Sequence, residues 1–177
     1  MKLIILDRDG VINHDSDAYI KSPDEWQPLP GSLDAIARLT KAGYRIAVAT
    51  NQSGVARGLF DLATLAAMHA KMHQAVASAG GRIDAVFFCP HAADSNCNCR
   101  KPKPGMIEEI LRRFRAEPRE VTCVGDSLRD LLAATQIGCR PVLVLTGKGS
   151  RTMRAGGLPA QTLVRVDLAA VAAELAP

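Results

Sequence analysis

The chain has 177 residues, 47% of them hydrophobic, and a net charge of +4 at neutral pH. One domain of that size buries roughly 70% of its unfolded surface, so 1–177 is expected to fold as a single unit without help from a disulfide or partner. No apolar run approaches 18 residues and the N-terminus lacks a basic-then-apolar leader pattern, which argues against a membrane span and a signal peptide and points to the cytoplasm. Basic residues are interspersed with acids, and aromatics amount to one Trp, two Tyr and four Phe. A nucleic-acid footprint is therefore weak, whereas an anionic small molecule suits the charge. Five cysteines, three of them between 89 and 99, fit a reducing compartment and a metal better than a disulfide framework.

The first apolar run, KLIIL (2–6), reads as a buried strand and leads straight into DRDG (7–10). If the strand continued, Asp7 and Asp9 would share a face, and like charges that close call for a cation or a proton. The same four residues also have the composition of a solvated turn, and the stretch alone leaves both readings open. Helical spacing follows at 32–42, then the run RIAVAT (45–50) ending in Thr50, Asn51, Gln52 and Ser53. A helix is predicted over 61–79 and a strand at DAVFFC (84–89), with Gly43 and Gly80 placed as helix stops. CPHAADSNCNC (89–99) then offers Cys89, His91, Cys97 and Cys99, the donor set of a closed structural Zn²⁺ site. The plainer reading is a pair of buried or oxidised cysteines beside a surface histidine. A helix over 105–116 and a strand at EVTCVGD (120–126) come next, where Asp126 reads as a ligand or as an N-cap. A helix over 128–137 before Gly138, a strand at PVLVLT (141–146) and a last helix near 167–175 complete the pattern. Cys123 and Cys139 lie in or beside apolar runs and read as core; residues 147–160 form the loosest segment.

This alternation predicts an α/β fold, a Rossmann-like and mainly parallel sheet with helices on both faces. Such sheets bind ligands beyond the carboxyl ends of their strands. The residues at those ends are Asp7 and Asp9, TNQSG (50–54), CPH (89–91) and GDS (125–127), so one rim collects nearly all the chemistry-bearing groups.

DRDG at 7, TNQ at 50, RKPKPG at 100 and GDSLRD at 125 resemble, in order, the four motifs of phosphatases in the haloacid dehalogenase superfamily. Through TNQSGVARGLF (50–60), CRKPKPGM (99–106) and its compact length, the chain most resembles the bacterial D-glycero-D-manno-heptose 1,7-bisphosphate 7-phosphatases, which serve lipopolysaccharide core precursor synthesis. Histidinol-phosphate phosphatases share the paired aspartates and the cysteine cluster and are the alternative. Val11 departs from the pattern, in which Thr is commoner. The resemblance implies Asp7 as nucleophile and Asp9 as general acid and base. It also implies Mg²⁺ held by Asp7, the backbone carbonyl of Asp9 and Asp126, with Asp130 in support, and phosphoryl oxygens held by Thr50 and Lys101. Zn²⁺ on the loop would position Lys101, which follows the last ligand by two residues.

Neither interval between motifs has room for an inserted cap, so an open site is expected. Asp15, Tyr19, Asn51, Gln52, Ser53, Arg57, Arg100 and Lys103 are then the groups expected to meet a phosphorylated sugar. Asp15 and Ser53 rest on the resemblance and Tyr19 on position alone, while Arg57 and Lys103 also read as members of a solvated face. A monomer is expected, without membrane or nucleic-acid partners. Two further classes fit the residues less well. A non-catalytic phospho-receiver has no use for Asp9, and a zinc-knuckle nucleic-acid binder leaves the aspartates unexplained.

Overall fold

The computed structural model describes residues 1–177. Six strands, β1 (Leu3–Leu6), β2 (Arg45–Asn51), β3 (Ala85–Cys89), β4 (Thr122–Gly125), β5 (Arg140–Val144) and β6 (Leu163–Arg165), form one sheet in the order β3-β2-β1-β4-β5-β6. Every neighbouring pair is parallel. The helices are α1 (Ser32–Lys41), α2 (Leu62–Ser78), α3 (Gly105–Phe114), α4 (Leu128–Gln136), α5 (Gly149–Ala155) and α6 (Leu168–Leu175). Parallel strands buried on both faces must be apolar throughout rather than alternating, and β1 is fully buried along its length. Ile4 and Leu6 pack with Ile36 and Leu39 of α1, Met68 and Met72 of α2 and Val171 of α6. Leu3 and Ile5 point the other way, onto Met106 and Ile110 of α3 and Ala133 and Ala134 of α4. Two cores thus clamp β1 from both faces.

The predicted helices and strands lie within two residues of those observed. Two elements in the loosest segment and just after it were not anticipated. In α5, GSRTMRA, only Gly149 is buried, so the helix carries no apolar period to read. In β6 only three residues pair, at the sheet edge. No inserted domain covers the carboxyl ends of the strands. Residues 14–28 instead form an irregular loop that buries Ile20 and Trp26 in the larger core. The Lys71 ammonium of α2 ties that loop down by donating to the carbonyls of Pro23 at 2.6 Å and Trp26 at 2.9 Å. No helix is long and apolar enough to cross a membrane.

Candidate active site

The chain runs from β1 out to β3 on one side and from β4 to β6 on the other, so the order reverses between β1 and β4. A crevice opens at such a reversal. Asp7 follows β1 and Asp126 follows β4, and both line a cavity of about 170 Å³ with Asp9, Thr50, Asn51, Gln52, Ser53 and Lys101. Only two of its seventeen lining residues are hydrophobic, which suits a hydrated, charged ligand. The carboxylates of Asp7, Asp126 and Asp130 come within 4.8 Å of one another. A Cβ at Gly10, whose φ is +85°, would collide with Asp126 Oδ2, so the tight approach of DRDG to the Asp126 loop needs glycine there.

Lys101 is buried among these acids. Its Nζ lies 3.1 Å from Asp7 Oδ1 and 2.6 Å from Asp130 Oδ1, and donates to the Ala49 carbonyl at 2.6 Å. Burial works against its charge, but Asp130 and Asp7 more than restore it and raise its pKa. Asp130 would be raised by burial, yet Lys101 and the Ser127 hydroxyl hold it below the ordinary carboxylate range. One cation does not neutralise three acids. Asp7 is pushed up to about 6, chiefly by burial and further by Asp130 and Asp9, with Lys101 opposing. Burial, Asp7 and Asp130 push Asp126 up to about 8. The cluster of Asp7, Asp126 and Asp130 thus keeps an excess of negative charge around Lys101, and a hard divalent cation on Asp7 and Asp126 fits both the donor set and that excess. Asp126 is not an N-cap: Ser127 holds that place, and Asp126 Oδ2 accepts from the Lys148 backbone N–H at 2.7 Å. Asp130 braces Lys101 and Ser127 as well as lying in the acid cluster.

The Asp9 carboxylate stands apart from that cluster and is gripped by Arg8, Asn13 and Gln52. Asn51 forms a reciprocal pair with Lys101, accepting from its N–H at 3.1 Å and donating to its carbonyl at 3.0 Å. Gln52 Nε2 donates to Asp9 Oδ2 at 3.0 Å and to Thr50 Oγ1 at 2.8 Å. Two groups expected to face the sugar therefore brace the groups expected to do chemistry. Asp15, Ser53, Arg57, Arg100 and Tyr19 line the cavity, and Arg57 lies over the Tyr19 ring at 5.8 Å. Lys103 does not line it: its ammonium is turned onto the Cys97 carbonyl at 2.7 Å, because the loop bends back after Lys101. Sequence reading missed Arg129 and Lys148, which also line the cavity. Lys148 pairs with Asp15 at 2.9 Å. It sits in the segment read as loose, and only the Gly-Lys-Gly context at 147–149 marked a basic residue near a turn.

Beside the pocket, Cys89, His91, Cys97 and Cys99 bring their ligand atoms within 4.8 Å of one another. Cys89 Sγ lies 3.8 Å from Cys97 Sγ and 3.5 Å from His91 Nδ1, and Cys99 Sγ lies 3.4 Å from the same nitrogen. A tetrahedral Zn²⁺ with bonds of about 2.0–2.3 Å separates its ligands by roughly 3.3–3.8 Å, so the four residues fit zinc. All five cysteines are free thiols, with Cys123 and Cys139 buried in the smaller core.

Residues 2–138 match the haloacid dehalogenase-like hydrolase family. The chain belongs to the haloacid dehalogenase-like hydrolases. It is 63% identical over 175 residues to a D-glycero-beta-D-manno-heptose-1,7-bisphosphate 7-phosphatase of Bordetella bronchiseptica, covering 99% of this chain and 98% of that one. It is 58% identical to the enzyme of that name from Pseudomonas putida, with 99% of each covered. Its fold superposes on a crystal structure of the D,D-heptose 1,7-bisphosphate phosphatase from B. bronchiseptica, complexed with magnesium and phosphate, at a TM-score of 0.98 and 63% identity over 99% of this chain and 98% of that one. In this chain DRDG, TNQ and GDSLRD lie at the ends of β1, β2 and β4, and RKPKPG leads into α3, with residues of DRDG, TNQ, RKPKPG and GDSLRD lining one cavity.

Proposed function

We propose that this hydrolase is a phosphatase that removes the 7-phosphate of D-glycero-D-manno-heptose 1,7-bisphosphate. The observation that carries the reading is the meeting of Asp7, Asp9, Lys101 and Asp126 around a polar cavity at the sheet reversal, and the named relatives supply the substrate. Asp7 attacks phosphorus in line, forming the aspartyl–phosphorus bond as the bond to the sugar oxygen breaks. Asp9 gives its proton to that oxygen, then takes one from the water that attacks the same phosphorus and frees Asp7. Lys101 and Thr50 hold the equatorial oxygens, where negative charge is spread in the transition state. Mg²⁺ on Asp7 and Asp126 would neutralise the acids and the phosphate so that an anionic nucleophile can approach an anionic substrate.

Zn²⁺ on the cysteine loop takes no chemical part, since four protein ligands leave it no open position. Asn51 links that loop's Lys101 to the end of β2, so a pinned loop means a placed ammonium. The enzyme is proposed to act as a cytoplasmic monomer on a free sugar phosphate. A phosphate-release panel tests the reading. With Mg²⁺, the heptose 1,7-bisphosphate should exceed histidinol phosphate and the heptose 1-phosphate in kcat/KM. A preference for histidinol phosphate would overturn the assignment of substrate.

A further inference from the structure

The arginine between the two aspartates has no place in the mechanism so far. Arg8 is fully buried, and its guanidinium is committed to Asp9: Nε to Oδ1 at 3.0 Å, Nη2 to Oδ1 at 2.9 Å and Nη2 to Oδ2 at 3.1 Å. Asn13 Nδ2 adds a bond to Oδ1 at 2.8 Å, and Gln52 Nε2 one to Oδ2 at 3.0 Å. Oδ1 thus receives three donors and Oδ2 two, so the carboxylate is held from Arg8, Asn13 and Gln52 at once and has little freedom to rotate. The back of the guanidinium is closed by α2, where Nη1 faces His69 Nε2 at 3.3 Å. Arg8 has only protons to offer, so His69 must be the neutral tautomer with Nε2 bare. Burial, reinforced by Arg8, holds the His69 pKa down at about 4. A buried cation of this kind is costly unless each face is engaged.

We propose that Arg8, backed by His69, is a positioning residue that fixes the rotation of the Asp9 carboxylate, with Oδ2 turned to the Gln52 and Thr50 side. This rests on the reading of Asp9 as the acid. A planar two-armed donor fixes carboxylate rotation in a way one ammonium does not, and misplacing a catalytic group by about 1 Å costs on the order of 10²-fold. The test compares bond cleavage with and without a need for a proton, in Mg²⁺-loaded protein. In single turnovers, a sugar phosphate leaves as an alkoxide and needs the acid, whereas p-nitrophenyl phosphate leaves as a stable phenolate and does not. Arg8→Met should slow the sugar phosphate about 10²-fold and p-nitrophenolate release less than about threefold. Arg8→Lys, which keeps the charge and guards against misfolding of Arg8→Met, should show the same selective loss at about tenfold, as should His69→Leu. Equal slowing of both substrates, or slowing of neither, in folded Arg8→Lys and His69→Leu overturns the proposal. Asp9→Asn is the control: if it too is unselective, the acid assignment itself fails, whereas a selective Asp9→Asn beside unselective Arg8 variants sinks only the role of Arg8.

Discussion

The acid pocket and the cysteine loop both gather metal-binding side chains, and they are built in opposite ways. Asp7, Asp126 and Asp130 come from segments more than a hundred residues apart and meet because β1 and β4 are neighbours in the sheet. Cys89, His91, Cys97 and Cys99 lie within eleven residues on a loop with no helix or strand beyond the end of β3. The fold assembles the first set; the second set assembles its own piece of the fold. A cation in the pocket is accordingly expected to govern turnover, and one in the loop to govern order.

The strongest way to break that contrast is to remove the proposed nucleophile. Asp7→Asn keeps the shape of the side chain and lowers the repulsion in the pocket, so it should reduce phosphate release to background while leaving the melting temperature equal to or above that of the parent. Measurable turnover, or a collapse of the fold, would place Asp7 on the structural side of the comparison. Next in size is Cys97→Ser. Zinc content measured by elemental analysis should fall from about one per chain towards zero, with a lower melting temperature. Lys101 then loses its anchor, and kcat/KM should fall about 10²-fold. A zinc-free variant with parental kcat/KM would show that the loop does not place Lys101.

The two regions also differed in how far they could be read from residues alone. Apolar runs and their spacing marked ten of the twelve strands and helices, because a buried parallel strand leaves no choice of side chain. The four residues that could hold zinc were legible as a cluster because they are local in sequence. The acids were legible as residues at strand ends, but what holds them was not. Asn51 and Gln52 looked like substrate contacts, yet their amides brace Lys101 and Asp9. Whether a polar side chain faces the ligand or a neighbour is settled by rotamers and by segments distant in sequence. Lys103 illustrates the same limit, with its ammonium drawn to the Cys97 carbonyl six residues away. Arg8 lies in DRDG, whose composition also reads as a solvated turn, and only its total burial separates it from one.

A third prediction sharpens the electrostatic side of the contrast. With no magnesium bound, Asp126 sits near 8 in the fold against an ordinary 3.8. The folded value is the raised one, so its stabilising contribution is fully present below about pH 4 and is lost as pH rises through about 8. Asp126→Asn removes that dependence. In zinc-loaded, magnesium-free protein the variant's melting temperature should gain on the parent's between pH 5 and pH 8, by about 5 °C. Saturating Mg²⁺ should close the gap by stabilising the parent alone. A difference that stays flat across this range would mean that burial and the neighbouring Asp7 and Asp130 do not raise Asp126 in the folded protein.

The smallest effect concerns the rim, where neither metal reaches. Arg57 is exposed, lines the cavity and lies over the ring of Tyr19. Tyr19 itself adopts φ of 68°, a left-handed backbone that costs a non-glycine residue roughly 1–2 kcal/mol and calls for a compensating contact. The pair lines the cavity that Asp7 and Lys101 also line, and an exposed arginine there suits a second anionic group on the proposed substrate. A charge-assisted hydrogen bond is worth about 1.5–3 kcal/mol before solvent screening, and the exposure of Arg57 puts the effect at the lower bound. Arg57→Ala should therefore reduce kcat/KM for the heptose 1,7-bisphosphate about tenfold, while a sugar monophosphate that presents only the reacting group changes by less than about twofold. Adding salt should shrink the parent's advantage on the bisphosphate in the same direction, because exposed charges are screened within about 10 Å at 0.1 M. Equal losses on both substrates would mean that Arg57 shapes the loop rather than reads the distal phosphate.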